Sequence, residues 1–238
     1  MMASREEPTA ESRPGAYLRV PVQEVRSIPL PEGDVGEGLA LRMDRGEIQA
    51  VLHGAPESRK GVIWVCGARG GFGGPGPGIY AQLAEEFTEQ GITSLRMDYR
   101  LPNVLPECAM DLLTGVAHME DTGHDPVVIV GHSFGGAVVV AAGAVSKHVA
   151  GVVSLSPQTY GANMAGLVSP RPTLIVHGKA DTRLPYSCGM QVYEWANEPK
   201  RLVLYEGAEH RLEECRDELA DLLREWIPAT LNAEPAAL

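Results

Sequence analysis

The sequence is poor in several features, and each shortage narrows what the chain can be. No stretch reaches the roughly 18 to 20 consecutive apolar residues that a membrane span needs, so no spanning segment is expected. Cysteine is scarce. The four present (Cys66, Cys108, Cys188 and Cys215) lie far apart with no CxxC pair. That pattern argues against a disulfide framework and for free, buried thiols in a reduced, cytoplasmic chain. Basic residues are outnumbered, 20 Lys and Arg against 31 Asp and Glu, for a net charge of −11. Such a surface repels a phosphate backbone and excludes nucleic acid as a natural partner. The opening residues, MMASREEPTAESRPGAY, lack an apolar stretch, so a secretory signal is not expected either.

Apolar residues make up 44% of the 238 positions and charged ones 21%, enough for a sizeable core in one large domain. Residues 1–16 read as a flexible tail, 17–230 as a single domain, and 231–238 as a second tail. The domain opens with two extended runs, YLRVPVQEVRSI and LALRMDRGEIQAVLH, separated by the turn-rich LPEGDVGEG. From residue 61 the rhythm changes. Short apolar runs at 61–67, 92–98, 126–131, 149–156, 172–178 and 201–207 predict strands. Helical patterns at 79–91, 106–120, 134–146, 184–197 and 210–227 alternate with them. Continuous apolar strands between helices imply a mostly parallel sheet covered on both faces, here with an antiparallel start.

One motif carries chemistry. Gly131-His132-Ser133-Phe134-Gly135 fits G-x-S-x-G, directly after a predicted strand and directly before a predicted helix. A nucleophile on so tight a turn needs glycines on either side, and the helix that follows points its N-terminus at the developing charge. A serine needs a base, oriented in turn by an acid. Of seven histidines, His210 alone follows the last predicted strand, in GAEH, at the edge where open α/β sheets bind ligands. His132 is expected to point away from the serine beside it. Asp181, in HGKADTRLP, lies just past the strand at 172–178 on the same edge, with Glu206 and Glu209 as reserve acids. The order Ser133, Asp181, His210 is that of the α/β-hydrolases.

Across residues 60–227, GHSFGG, HGKAD and GAEH follow one another in order, and here the chain resembles that superfamily. The likeness is strongest to its small, lidless, dienelactone-hydrolase-like carboxylesterases. It departs from dienelactone hydrolases proper in carrying Ser133 where they use cysteine. The resemblance implies an α/β-hydrolase fold: a mostly parallel eight-stranded sheet, helices on both faces and no lid domain. It also implies an oxyanion hole built from the backbone N–H of Phe134 and one from Cys66-Gly67-Ala68-Arg69, with Ala68 first choice and Arg69 second. Arg69 and Tyr160 are further candidates for substrate contact.

Two rival motifs compete for attention. Gly71-Phe72-Gly73-Gly74-Pro75-Gly76, with Asp98 ending the next strand, spells a dinucleotide fingerprint. It starts five residues past Cys66 and carries prolines where helix amides should face a pyrophosphate, so a mobile loop bordering the pocket is the better reading. His118, Glu120, Asp121 and His124 look like metal ligands but cross a helix end into Thr122-Gly123, as a solvated turn does. No metal and no cofactor is expected. The function that emerges is hydrolysis of small carboxylic esters through an acyl-enzyme. Thioester, lactone and peptide substrates stay open, as does a non-catalytic binding role on the same fold. The sequence assigns no oligomeric state.

Overall fold

The structure is a computed structural model that describes residues 17–234. The expected tail at 1–16 lies outside the described residues, as do residues 235–238 of the one expected at 231–238, while Leu231 and Asn232 belong to the last helix.

Nine strands form one sheet in the order β1-β2-β3-β5-β4-β6-β7-β8-β9. The strands are β1 (Glu24–Ser27), β2 (Glu37–Met43), β3 (Gly46–His53), β4 (Lys60–Val65) and β5 (Ile92–Met97). They continue with β6 (Val127–His132), β7 (Val149–Leu155), β8 (Thr173–Gly178) and β9 (Lys200–Tyr205). The helices are α1 (Ile79–Glu89), α2 (Leu105–Asp121), α3 (Phe134–Val145), α4 (Ser187–Trp195) and α5 (Arg216–Asn232). β1 to β3 are antiparallel, β3 joins β5 antiparallel, and every pairing from β5 through β4 to β9 is parallel.

The count is nine rather than eight because the run LALRMDRGEIQAVLH folds back on itself. Met43 pairs with Gly46, which leaves Asp44-Arg45 as a two-residue hairpin loop. Gly46 enters the return strand at φ 131°, a conformation that glycine adopts freely. The turn lacks an Asn-Gly or Asp-Gly pair, so the run reads as one continuous strand in sequence.

β4 shows how the layers are made. Val62 and Trp64 point to one face, where Trp64 meets Tyr80 and Phe87 of α1 and α5 closes the layer. Ile63 and Val65 point to the other face, under α2 and α3. The two-residue alternation of a strand puts apolar side chains on both sides, so every position must be apolar. The central strands therefore run parallel and bring their carboxyl ends to a single edge. Two helices depart from the sequence pattern. α4 is trimmed to Ser187–Trp195. α5 begins at Arg216, not at 210, and runs through Pro228 to Asn232. The ten residues after β9 are thus a loop of turns, and His210 lies on that loop instead of opening a helix.

Candidate active site

The loops after β4, β6, β8 and β9 meet at the carboxyl edge of the sheet. Ser133 sits between β6 and α3 at φ 60° and ψ −118°, a strained conformation for a residue with a side chain. The turn is tight enough that a Cβ on Gly131 would collide with the carbonyl of Gly135, and one on Gly135 with the carbonyl of Cys66. Ser133 N–H donates to the Leu155 carbonyl at 2.7 Å, which ties the elbow to β7. The side chain is partly exposed.

Three side chains form a hydrogen-bonded chain from that serine. Ser133 Oγ lies 2.9 Å from His210 Nε2, and His210 Nδ1 lies 2.7 Å from Asp181 Oδ2. With the carboxylate ionised, Nδ1–H donates to Asp181 and Nε2 is left to accept from the serine hydroxyl. Asp181 Oδ1 accepts the backbone N–H groups of Arg183 (2.9 Å) and Leu184 (2.8 Å). Burial works to raise the Asp181 pKa. The bond from Leu184 N–H and the bond and charge of His210 outweigh it, and the net shift is downward. The carboxylate therefore stays charged.

Two further histidines, neither a sequence candidate for base, belong to the same cluster. The His132 ring centroid lies 5.0 Å from that of His210, and its Nε2–H donates to the His210 carbonyl at 2.8 Å. Burial lowers its pKa to about 4. His177, fully buried at the end of β8, places Nε2 3.1 Å from Asp181 Oδ2 and 3.0 Å from the Leu184 carbonyl. One signal was available for both: each is the single strongly polar residue in an apolar run, VVIVGH and TLIVHG.

The reserve acids are occupied elsewhere. Glu206 is exposed and pairs with Lys179. Glu209 accepts from Thr182 N–H (3.0 Å) and its hydroxyl (3.1 Å), which joins the Asp181 loop to the His210 loop.

Next to the serine, Gly67 leads out of β4, close enough that a Cβ there would lie 3.3 Å from Ser133 Cβ. The Gly70 N–H to Gly67 carbonyl bond (3.0 Å) closes a turn with Ala68 and Arg69 at its exposed tip. Phe134 opens α3, so its N–H has no intrahelical carbonyl to meet. Its ring packs edge-on to Tyr99, whose hydroxyl donates to the Cys66 carbonyl at 3.0 Å. Tyr160 is highly exposed and lines a surface depression with Leu105, Met164 and Trp195, to which neither Ser133 nor His210 contributes.

The glycine-rich segment is pinned rather than loose. Asp98 Oδ1 accepts from Gly71 N–H at 2.8 Å, Cys66 Sγ from Gly74 N–H at 3.2 Å, and the Arg211 carbonyl from Gly76 N–H at 2.7 Å. Asp98 Oδ1 also accepts from Tyr99 N–H at 2.7 Å, so that oxygen is engaged within the fold. Burial pushes the Cys66 thiol up to about 11, which leaves it protonated. All four cysteines are unpaired. Among the described residues no group of three or more His, Cys, Asp or Glu side chains is arranged to hold a metal ion, and no helix is long and apolar enough to cross a membrane. Glu120 and Asp121 pair with Arg19, and His124 with Thr122.

Comparison with known proteins agrees with this architecture. The model of the Alpha/beta hydrolase family matches residues 50–236. The uncharacterized protein YfhR of Escherichia coli O157:H7 is 31% identical over 146 residues, 50% of this chain and 51% of YfhR. The chain therefore spans about half the length of that relative. Among solved structures, a dienelactone hydrolase from Anabaena variabilis ATCC 29413 superposes with a TM-score of 0.66 at 21% identity, covering 88% of this chain and 99% of that one. XC6422 from Xanthomonas campestris, described as a serine hydrolase without a lid, gives 0.63 at 20% identity, covering 87% and 100%. At those identities the likeness is one of fold.

Proposed function

The chain belongs to the Alpha/beta hydrolase family, and from that premise we propose that it is a serine hydrolase of small carboxylic esters, working through an acyl-enzyme. The observation that carries the reading is the unbroken chain from Ser133 Oγ through His210 to the Asp181 carboxylate. Family membership supports hydrolysis, and the buried, charged Asp181 supports the assignment of base and acid.

In this mechanism Ser133 Oγ attacks the ester carbonyl as His210 Nε2 takes the hydroxyl proton. Asp181 keeps the proton of His210 on Nδ1 and steadies the imidazolium. The backbone N–H groups of Phe134 and Ala68 donate to the oxyanion, each bond worth about 3 to 4 kcal/mol in the transition state. His210 passes its proton to the departing alcohol. It then takes one from a water that attacks the acyl group, and Ser133 is restored. No step calls on a metal or an organic cofactor. The connection from Pro157 to Arg171 supports a preference for small substrates. It holds only a short 3-10 helix, Ala162–Leu167, and Ser133 stays partly exposed.

The reading is tested with p-nitrophenyl acetate and butyrate. Native protein should turn both over with a burst of p-nitrophenol close to one per chain when deacylation is slow. Ser133→Ala should lose turnover by several orders of magnitude. A folded Ser133→Ala protein with native turnover would overturn it.

A further inference from the structure

The Asp181 carboxylate serves two imidazoles. Its Oδ2 receives His210 on one side at 2.7 Å and His177 on the other at 3.1 Å. The protonation of His177 is fixed by its surroundings. Nε2 faces two oxygens, Asp181 Oδ2 and the Leu184 carbonyl, and must carry the proton to satisfy both. Nδ1 is buried without a hydrogen-bond partner. It faces Gly189 of α4, where an added Cβ would stand 2.7 Å away, so no larger side chain fits there. A second proton on that ring would have nothing to meet. Burial accordingly holds the His177 pKa below its ordinary value.

We propose that His177 is a positioning residue which, as an Nε2–H donor, anchors Asp181 Oδ2 and tempers the charge it presents to His210. The proposal rests on the serine-hydrolase reading. Its chemistry is that of a shared acceptor. Oδ1 is saturated by two backbone N–H groups, so Oδ2 is the oxygen through which the carboxylate acts on the base. A donor at Oδ2 draws off electron density and limits its attraction for an imidazolium. Remove that donor and the imidazolium is favoured more strongly, so His210 becomes neutral only at higher pH. The carboxylate also loses one of its anchors, and alignment of the base suffers.

Other charges face this cluster and stay constant through the comparison. From β6 comes His132, neutral above pH about 4. From α4 comes Cys188, whose thiol burial pushes upward. The loops contribute Arg183, Arg211 and the Thr182-bound Glu209, and Lys179 is paired to Glu206.

The experiment compares His177→Leu, which removes the donor, with His177→Gln, whose side-chain amide nitrogen reaches the same place. For His177→Leu the acid-side midpoint of kcat/KM should move up by about half a unit to one unit. At the alkaline plateau kcat should fall about tenfold with KM unchanged. His177→Gln should restore both. Gly189→Ala, which leaves His177 in place but pushes its ring, should move the midpoint in the same direction, and it carries the test if the leucine variant does not fold. A folded His177→Leu or Gly189→Ala protein with the parental midpoint overturns the proposal, as does a glutamine variant displaced as far as the leucine one. NMR titration of the His210 imidazole in Ser133→Ala protein, with and without His177→Leu, reads the same shift without turnover. A native rate in Ser133→Ala would sink the hydrolase reading, whereas an unmoved His210 titration would sink the role of His177 alone.

Discussion

Asp181→Asn is the substitution whose consequence the geometry specifies most fully. The asparagine carbonyl can keep both Oδ1 bonds, from Arg183 N–H and Leu184 N–H, so the loop should hold. Its amide nitrogen then stands where Oδ2 was, 2.7 Å from His210 Nδ1, and donates where the carboxylate accepted. His210 must answer with a bare Nδ1, which moves its proton to Nε2. There it faces Ser133 Oγ at 2.9 Å and cannot take the hydroxyl proton. The same amide meets the His177 Nε2–H, donor against donor, at 3.1 Å. Loss of the general base and of imidazolium stabilisation together should lower kcat about 10³- to 10⁴-fold, or roughly 4 to 5.5 kcal/mol of barrier. Glu209→Gln is the control. A glutamine carbonyl accepts from Thr182 as the carboxylate does, so its rate should stay within about threefold of the parent. Initial rates on p-nitrophenyl acetate, normalised to folded protein by near-UV circular dichroism, decide the matter. An Asp181→Asn enzyme within about threefold of the parent, or a Glu209→Gln or Glu206→Gln enzyme without activity, would refute the choice of acid.

Other consequences concern stability, packing and substrate. His132 and His53 are both held at about 4 by burial, with the Arg96 charge adding to the effect at His53, while an unfolded histidine titrates near 6.5. Between those values the unfolded chain binds protons that the fold refuses. Stability is therefore complete above pH about 6.5 and falls toward pH 4, by roughly 3 kcal/mol for each ring. Urea unfolding at half-unit pH steps should show this, and His53→Gln should flatten the slope by up to about 1.4 kcal/mol per unit; a flat parental profile would contradict it. Gly135→Ala drives a Cβ into the Cys66 carbonyl and should cost about 1 to 3 kcal/mol while displacing the loop beside Ser133. Its thermal midpoint and kcat should both drop, and a neutral effect on both would mean that the elbow tolerates more room than its contacts imply. Acetate and butyrate esters should outrun long-chain esters, with no jump in rate when substrate passes into droplets; a clear long-chain preference would contradict the open pocket.

Much of this was legible in the sequence because it depends on local pattern. The parallel core is written in apolar runs such as VVIV and GVIWV, which only a doubly covered sheet accommodates. Ser133, Asp181 and His210 each sit at the end of such a run, and parallel strands bring those ends together. What escaped notice depends on three-dimensional closure. The Asp44-Arg45 hairpin looks like continuous strand because its two loop residues are not an Asn-Gly or Asp-Gly pair. The sequence pattern starts α5 too early, because Leu212 and Cys215 are buried at helical spacing although the chain around them turns. The glycine-rich loop reads as mobile until its amides are seen to find Asp98, Cys66 and Arg211. The places of His132 and His177 beside the triad depend on which way a strand-end side chain points, which apolar runs do not specify.

Everything proposed for this site turns on Ser133 as the nucleophile, which one labelling experiment can decide. Native protein is treated with a fluorophosphonate probe, digested, and the modified peptide identified by mass spectrometry. One adduct per chain is expected, on Ser133, absent from Ser133→Ala and formed far more slowly in His210→Gln. No adduct under conditions that label a control esterase, or an adduct on Cys66 or another residue with Ser133 untouched, would contradict it.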